Sequence, residues 1–307
     1  MQMPGYRPSD VAYHIECLRH DGELLSVAAG QAGLGAPVPA CPGWAVRDLL
    51  KHTGYVHRWA TGYVAEQRTD MVETPGEDEM LTLGPADDVL LDWFRDGHAS
   101  LVRALAAADP DLKCWTFMAA PSPLAFWARR QSHETAIHRV DTQQAAAEAG
   151  QREPGPVPEP GPGSGSEPVS GSGSEPGSGP GSGSGSGLVP ASGFGPVPAR
   201  LAADGVDELL TGFLPRAARR RSWRPSPGTL GVHADDGPDG TAHWLVAMGP
   251  GQADVTRGAG PADCDITGPA ADLYLLLWNR RDVGDLDVSG DASHLATLRD
   301  QLRVTWR

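Results

Sequence analysis

The chain has 307 residues, with 25 Lys plus Arg against 39 Asp plus Glu and a formal net charge of −14. A chain this acidic gains nothing from counterion release on a polyphosphate backbone, which argues against nucleic acid as a partner. Its length fits two domains, no apolar run reaches the roughly 18 residues of a membrane helix, and the start MQMPGYRPSD lacks a secretory signal's charged and apolar regions, so a cytoplasmic protein without a membrane partner is expected.

The first half of the chain reads as four helices with apolar residues three and four apart. They are SDVAYHIECLRHDGELLSVAAGQA, WAVRDLLKHTGYVHRWATGYVAEQ after the turn CPG at 41–43, PADDVLLDWFRDGHASLVRALAAA and SPLAFWARRQSHETAIHRVDTQQAAAEAG. The third opens on proline and acids, as helix starts prefer, and the fourth stops at Gly150. Four such helices predict a four-helix bundle over 1–150, an architecture whose interior can hold a metal built from facing helices.

Residues 151–197 are Pro, Gly and Ser with scattered glutamates. Such a composition buries too little apolar surface to offset its ordering entropy, so a disordered linker is expected there. Residues 198–307 then read as a small α+β unit. TLGVHA, AHWLVAMG, ADVTRG and CDITG are short, partly alternating and glycine-bounded, which predicts strands. PAADLYLLLWNRR reads as a helix, LDVSGD as a last strand and ASHLATLRDQLRV as a closing helix. The expected fold class is α+β overall, with helices layered on an antiparallel sheet as a small C-terminal sandwich.

The four cysteines, Cys17, Cys41, Cys114 and Cys264, form no C-x-x-C pair, and each is expected to be reduced and to pack as a small buried hydrophobe. Lysine occurs only at Lys51 and Lys113, in a composition rich in Ala, Gly and Pro that resembles a GC-rich actinobacterial proteome.

The chemistry centres on HETAIHRVD at 133–141. It differs from the metalloprotease signature H-E-x-x-H in that its second histidine comes one residue late. Residues five apart on a helix point about 140° away from one another, so His133 and His138 cannot share an ion, whereas Glu134 and His138, four apart, can. Asp141, three further on, stays near that face. Zinc needs at least three protein ligands. His52 is the best third candidate, because Leu49, His52, Val56 and Trp59 line one face of the second helix. The plainer reading is a solvated Glu–His pair and a core histidine.

Two segments together carry a family resemblance. VPACPGWAVRDLLKHTGYVHRWA (38–60) followed by RRQSHETAIHRVD (129–141) resembles the mycothiol-dependent maleylpyruvate isomerase family of actinobacteria, which belongs to the DinB-like metal-binding four-helix bundles. CDITGPAADLYLLLWNRRDVGDLDVSGD (264–291) resembles the smaller C-terminal domain of the same proteins, itself similar to sterol carrier proteins. The resemblance implies a divalent metal, usually zinc, held by His52, Glu134 and His138. It implies Asp141 as a partner orienting a ligand histidine, with a salt bridge to an arginine as the equal alternative. It also implies Arg280 facing the active site, where it could clamp a substrate carboxylate; a surface arginine near a helix C-terminus is the alternative. Trp44 and Trp59 are candidates to line the pocket, against a default of core packing.

The activity implied is a metal-dependent isomerase or S-transferase acting on a small electrophilic, carboxylate-bearing metabolite, with mycothiol as thiol cosubstrate and metal-bound thiolate as nucleophile. A hydrolase using zinc-bound hydroxide and a non-catalytic binding or regulatory module are the alternatives.

Overall fold

The computed structural model describes residues 8–73, 75–151, 196–220, 222–237 and 240–304. The linker expected over 151–197 lies almost wholly outside them.

The N-terminal part is helical. α1 (Pro8–Ala32), α2 (Val46–Ala65), α4 (Asp87–Ala107) and α5 (Pro123–Gln151) are long, and a short α3 (Glu77–Leu83) follows α2. α1 packs on α5 and α4, and α2 packs on α4 and α5, which closes the expected four-helix bundle. Local chemistry sets the starts of the two helices that build the site. Asp48 Oδ2 accepts the Ala45 N–H at 2.9 Å, so α2 begins after Trp44, not at it. Ser122 Oγ accepts the Ala125 N–H at 3.1 Å just ahead of Pro123, the first residue of α5.

The C-terminal part is a layer of helices on a five-stranded sheet. α6 (Ala199–Glu208) continues through a π turn at Leu209–Phe213 into α7 (Leu214–Ala218). β1 (Gly228–Gly237), β2 (Gly240–Gly249), β3 (Gln252–Arg257), β4 (Cys264–Gly268) and β5 (Asp287–Gly290) follow, with α8 (Ala270–Leu277) before β5 and α9 (Ser293–Gln301) after it. The strand order is β3-β2-β1-β4-β5. The sheet is mixed, not purely antiparallel as expected: β4 runs parallel to β1, with Val232 beside Ile266. Alternation of apolar residues reports burial and not direction, and a strand re-entering on the far side of a hairpin keeps the same pattern.

Alternate strand residues face the helices. Leu230, Val232 and Ala234 of β1, Trp244, Val246 and Met248 of β2, and Cys264 and Ile266 of β4 are buried in one cluster with Leu201, Val206, Leu273 and Tyr274. Ala136, Ile137 and Val140 of α5 belong to that same cluster. One side of α5 therefore serves the sheet-containing part while another serves the bundle.

Candidate metal centre

α5 is buried nearly all round and yet polar. Arg130, Gln131, Ser132, His133, Thr135, His138, Arg139, Asp141 and Thr142 are all buried. Buried polar groups at this density need partners, and several on α5 find them on α1, α2, α6 and the segment after α8.

His52 of α2 and Glu134 and His138 of α5 converge. Glu134 Oε1 lies 3.1 Å from His52 Nε2 and 3.3 Å from His138 Nε2. One ligand atom from each of the three residues lies within 4.8 Å of the others. Two ligands about 2.0–2.1 Å from one zinc ion at a tetrahedral angle are about 3.3 Å apart, so the set fits a divalent ion. Two imidazoles and a carboxylate are a borderline-soft donor set, and three protein ligands leave a position open for a small molecule.

His138 and Glu134 are both held from behind. His138 Nδ1 lies 2.9 Å from Asp141 Oδ2. A carboxylate only accepts, so Nδ1 carries the hydrogen and Nε2 is the nitrogen turned toward Glu134. Asp141 is itself gripped by Arg280, which donates from Nε to Oδ1 at 2.9 Å and from Nη2 to Oδ2 at 2.8 Å. The other oxygen of Glu134, Oε2, accepts from Arg130 Nη2 at 3.1 Å, and Arg130 Nη1 donates to Glu208 of α6. Burial raises the Glu134 carboxyl, but hydrogen bonds from His138 and His52 and the charge of Arg130 outweigh it and hold the group well below its ordinary value. Burial likewise disfavours charge on His138, but the bonds to Asp141 and Glu134 prevail and push its pKa up to about 9. Asp141 is lowered to about 2, chiefly by Arg280 acting against desolvation.

A family model described as the mycothiol maleylpyruvate isomerase N-terminal domain matches residues 17–143, and the corresponding C-terminal domain model matches residues 200–297. The chain belongs to the mycothiol maleylpyruvate isomerase family. A solved structure of the mycothiol-dependent maleylpyruvate isomerase is 13% identical, with 91% of this chain and 92% of that chain covered and a TM-score of 0.48. A solved sterol carrier protein 2 is 18% identical, covering 34% of this chain and 95% of its own at a TM-score of 0.24. No curated protein matches the chain.

Within this family member, the structure places the expected residues unequally. Trp44 stands beside the centre, its ring 5.2 Å from that of His52. Trp59 joins the aromatic cluster of Tyr63, Trp115, Phe117 and Trp127. Asp141 contacts His138 and pairs with Arg280 through the same carboxylate, so neither contact excludes the other. Arg280 is neither a surface arginine nor an open clamp. Its side chain is 14% exposed, two of its nitrogens serve Asp141, and Nη1 donates to the Trp278 carbonyl at 2.8 Å. The fork expected to hold a substrate carboxylate is turned on the carboxylate of Asp141.

Several residues escaped the sequence reading. Arg130 and Glu208 are one case; the arginine pair ahead of HETAIHRVD, with Arg130 four before Glu134, was the available signal. Cys41, expected to be a buried hydrophobe, is half-buried with Sγ 3.8 Å from Asp141 Oδ2 and 3.9 Å from Arg280 Nη2. Cys17 and Cys114 are half-buried too, and of the four only Cys264 is buried. His133 turns away from the centre, as the five-residue spacing requires, and meets Asp204 Oδ2 at 2.7 Å, with His14 3.5 Å from the same oxygen. Arg129 Nε also donates to that oxygen at 2.8 Å, so a guanidinium already supplies the cation in this second histidine cluster. Among the described residues no helix is long and apolar enough to cross a membrane.

Proposed function

We propose that the chain is a metal-dependent, mycothiol-using isomerase or S-transferase acting on a small electrophilic, carboxylate-bearing metabolite. The observation that carries the reading is the convergence of His52, Glu134 and His138 from two facing helices, with both α5 ligands anchored from behind. A bound divalent ion, zinc by donor type, supplies a Lewis-acid position at which a thiol is deprotonated at neutral pH. The chain's own residues do the positioning. Asp141 fixes the tautomer and ring plane of His138, Arg130 fixes the rotation of the Glu134 carboxylate, and Trp44 walls the His52 side. In this reading the thiol sulfur adds to an activated double bond, the resulting single bond rotates, and departure of the thiol restores the double bond in the other geometry. Retention of the thiol instead gives S-transfer. The same reading takes 1–150 and 198–307 as separate domains that meet along α5.

The test is metal content per chain, by elemental analysis of untagged protein purified without added metal, beside His52→Ala and His138→Ala. About one zinc per chain, lost in both variants, together with turnover that requires mycothiol, is the expected result. Wild-type protein that takes up no zinc when it is offered, or turnover indifferent to the thiol, overturns the proposal.

A further inference from the structure

The sheet face turned away from the helices carries a second group of donors. His233 of β1 and His243 of β2 are direct register partners, while their neighbours Val232 and Trp244 point into the core. The two rings meet through Nδ1 and Nδ1 at 2.8 Å. Each outer nitrogen is also held. His233 Nε2 lies 2.8 Å from Asp265 Oδ1 of β4, and His243 Nε2 lies 3.1 Å from Thr241 Oγ1. Asp265 reaches His233 across Gly231, its own register partner. A Cβ at Gly231 would collide with Asp265 Oδ1 and stand 2.7 Å from His233 Nε2, so the glycine makes room for the contact.

From this arrangement we infer that His233 and His243 form a cross-strand binding site for a divalent transition-metal ion of the zinc class, separate from the centre between α2 and α5. Metal-bound histidines characteristically donate their other ring N–H to a carboxylate or similar acceptor, which fixes the ring and aims the lone pair. His233 is fixed in that way by Asp265, and His243 has Thr241 Oγ1 beside its outer nitrogen to take the same role once its hydrogen moves there. Imidazole nitrogen suits zinc, nickel and copper.

The proton positions allow the change. Asp265 only accepts, so His233 Nε2 bears hydrogen and its Nδ1 a lone pair. His243 Nδ1 then donates across the strands, and its Nε2 accepts from the Thr241 hydroxyl. On binding, the His243 hydrogen moves from Nδ1 to Nε2, where Thr241 Oγ1 accepts it, and no net proton is released. The two Nδ1 atoms need to spread only from 2.8 Å to about 3.3 Å. The His233 side chain is 17% exposed and that of Asp265 37%, so an ion reaches the pair from solvent and completes its shell with water. With two protein ligands, this site is weaker than one with three.

The test uses untagged full-length protein and zinc ion as the probe. Equilibrium dialysis compares the His52→Ala/His138→Ala background with and without an added His243→Gln. The background is expected to bind one weaker equivalent, and His243→Gln to reduce that affinity at least about tenfold. Nitrogen NMR of the imidazoles is expected to show His243 changing from the Nδ1–H to the Nε2–H tautomer as zinc is added. If the double variant does not fold, wild type is expected to bind one more equivalent than His243→Gln alone. Zinc binding indifferent to His243→Gln overturns the inference. Failure of the α2–α5 centre would appear separately, as wild type and the double background binding alike.

Discussion

Arg280 meets Asp141 fork to fork, and Asp141 Oδ2 is the same atom that holds His138 Nδ1. The C-terminal part thereby reaches His138 of the bundle through two contacts. Arg280→Ala is expected to weaken zinc binding roughly 10–100-fold. Arg280→Lys should not restore it, because a point ammonium cannot span both carboxylate oxygens. Zinc dissociation constants from chelator competition check this. Unchanged zinc affinity with only a raised KM for substrate would return Arg280 to the role of substrate clamp.

On the other side, Glu208 of α6 holds Arg130, which holds Glu134. Glu208 and Arg130 are each 3% exposed, which places the pair where loss of one partner leaves an uncompensated charge. Glu208→Ala is expected to cost roughly 3–5 kcal/mol of stability. Replacing both, as Arg130→Met with Glu208→Leu, should recover much of that stability but not the zinc affinity, since Glu134 Oε2 has lost its donor. Denaturant unfolding beside zinc titration separates the two effects.

Zinc uptake should depend on pH through His138. Its pKa in the metal-free fold is about 9, so at pH 7 an ion must displace a proton from Nε2. Affinity is therefore expected to rise as pH increases toward about 9 and then to level off. Calorimetry at pH 7 in two buffers of different ionisation enthalpy should report about one proton released. For the metal-free protein the signs differ by group. The raised His138 stabilises fully below its unfolded value near 6.5, and that contribution is lost as pH climbs through about 9. The lowered Asp141 stabilises above its unfolded value near 3.8, and that contribution is lost as pH falls toward about 2.

The convergence of His52, Glu134 and His138 was legible because helical spacing is rigid: four residues align Glu134 with His138, and an apolar stripe turns His52 inward. Position 133 was excluded by the same geometry. What sequence could not supply were partners across the chain. Arg280 follows Asp141 by 139 positions and Glu208 follows Arg130 by 78, and no local period links them. α6, the π turn and α7 went unread because Gly205, Gly212 and Pro215 depress helix propensity along that run. The parallel pairing of β1 with β4 is likewise a tertiary choice, invisible to alternation.

Gly205 tests the docking that these contacts depend on. It sits on α6 where Tyr274 of α8 and His133 of α5 close on the backbone, and Trp278 Nε1 points toward its carbonyl at 3.4 Å. A Cβ there would collide with the Tyr274 ring and stand 2.9 Å from His133 Nδ1. Alanine ordinarily strengthens a helix by roughly 0.5–1 kcal/mol over glycine. Here the close approach reverses the sign, and Gly205→Ala is expected to destabilise by roughly 1–3 kcal/mol, the usual cost of overpacking. The strain falls one residue from Glu134 and one from Asp204, so zinc affinity should fall together with stability. Gly30→Ala, in α1 with nothing within 4 Å of its added Cβ, is the control and should stabilise. A Gly205→Ala protein as stable as wild type, with unchanged zinc affinity, would show that α6 need not press on α5 for the centre to form.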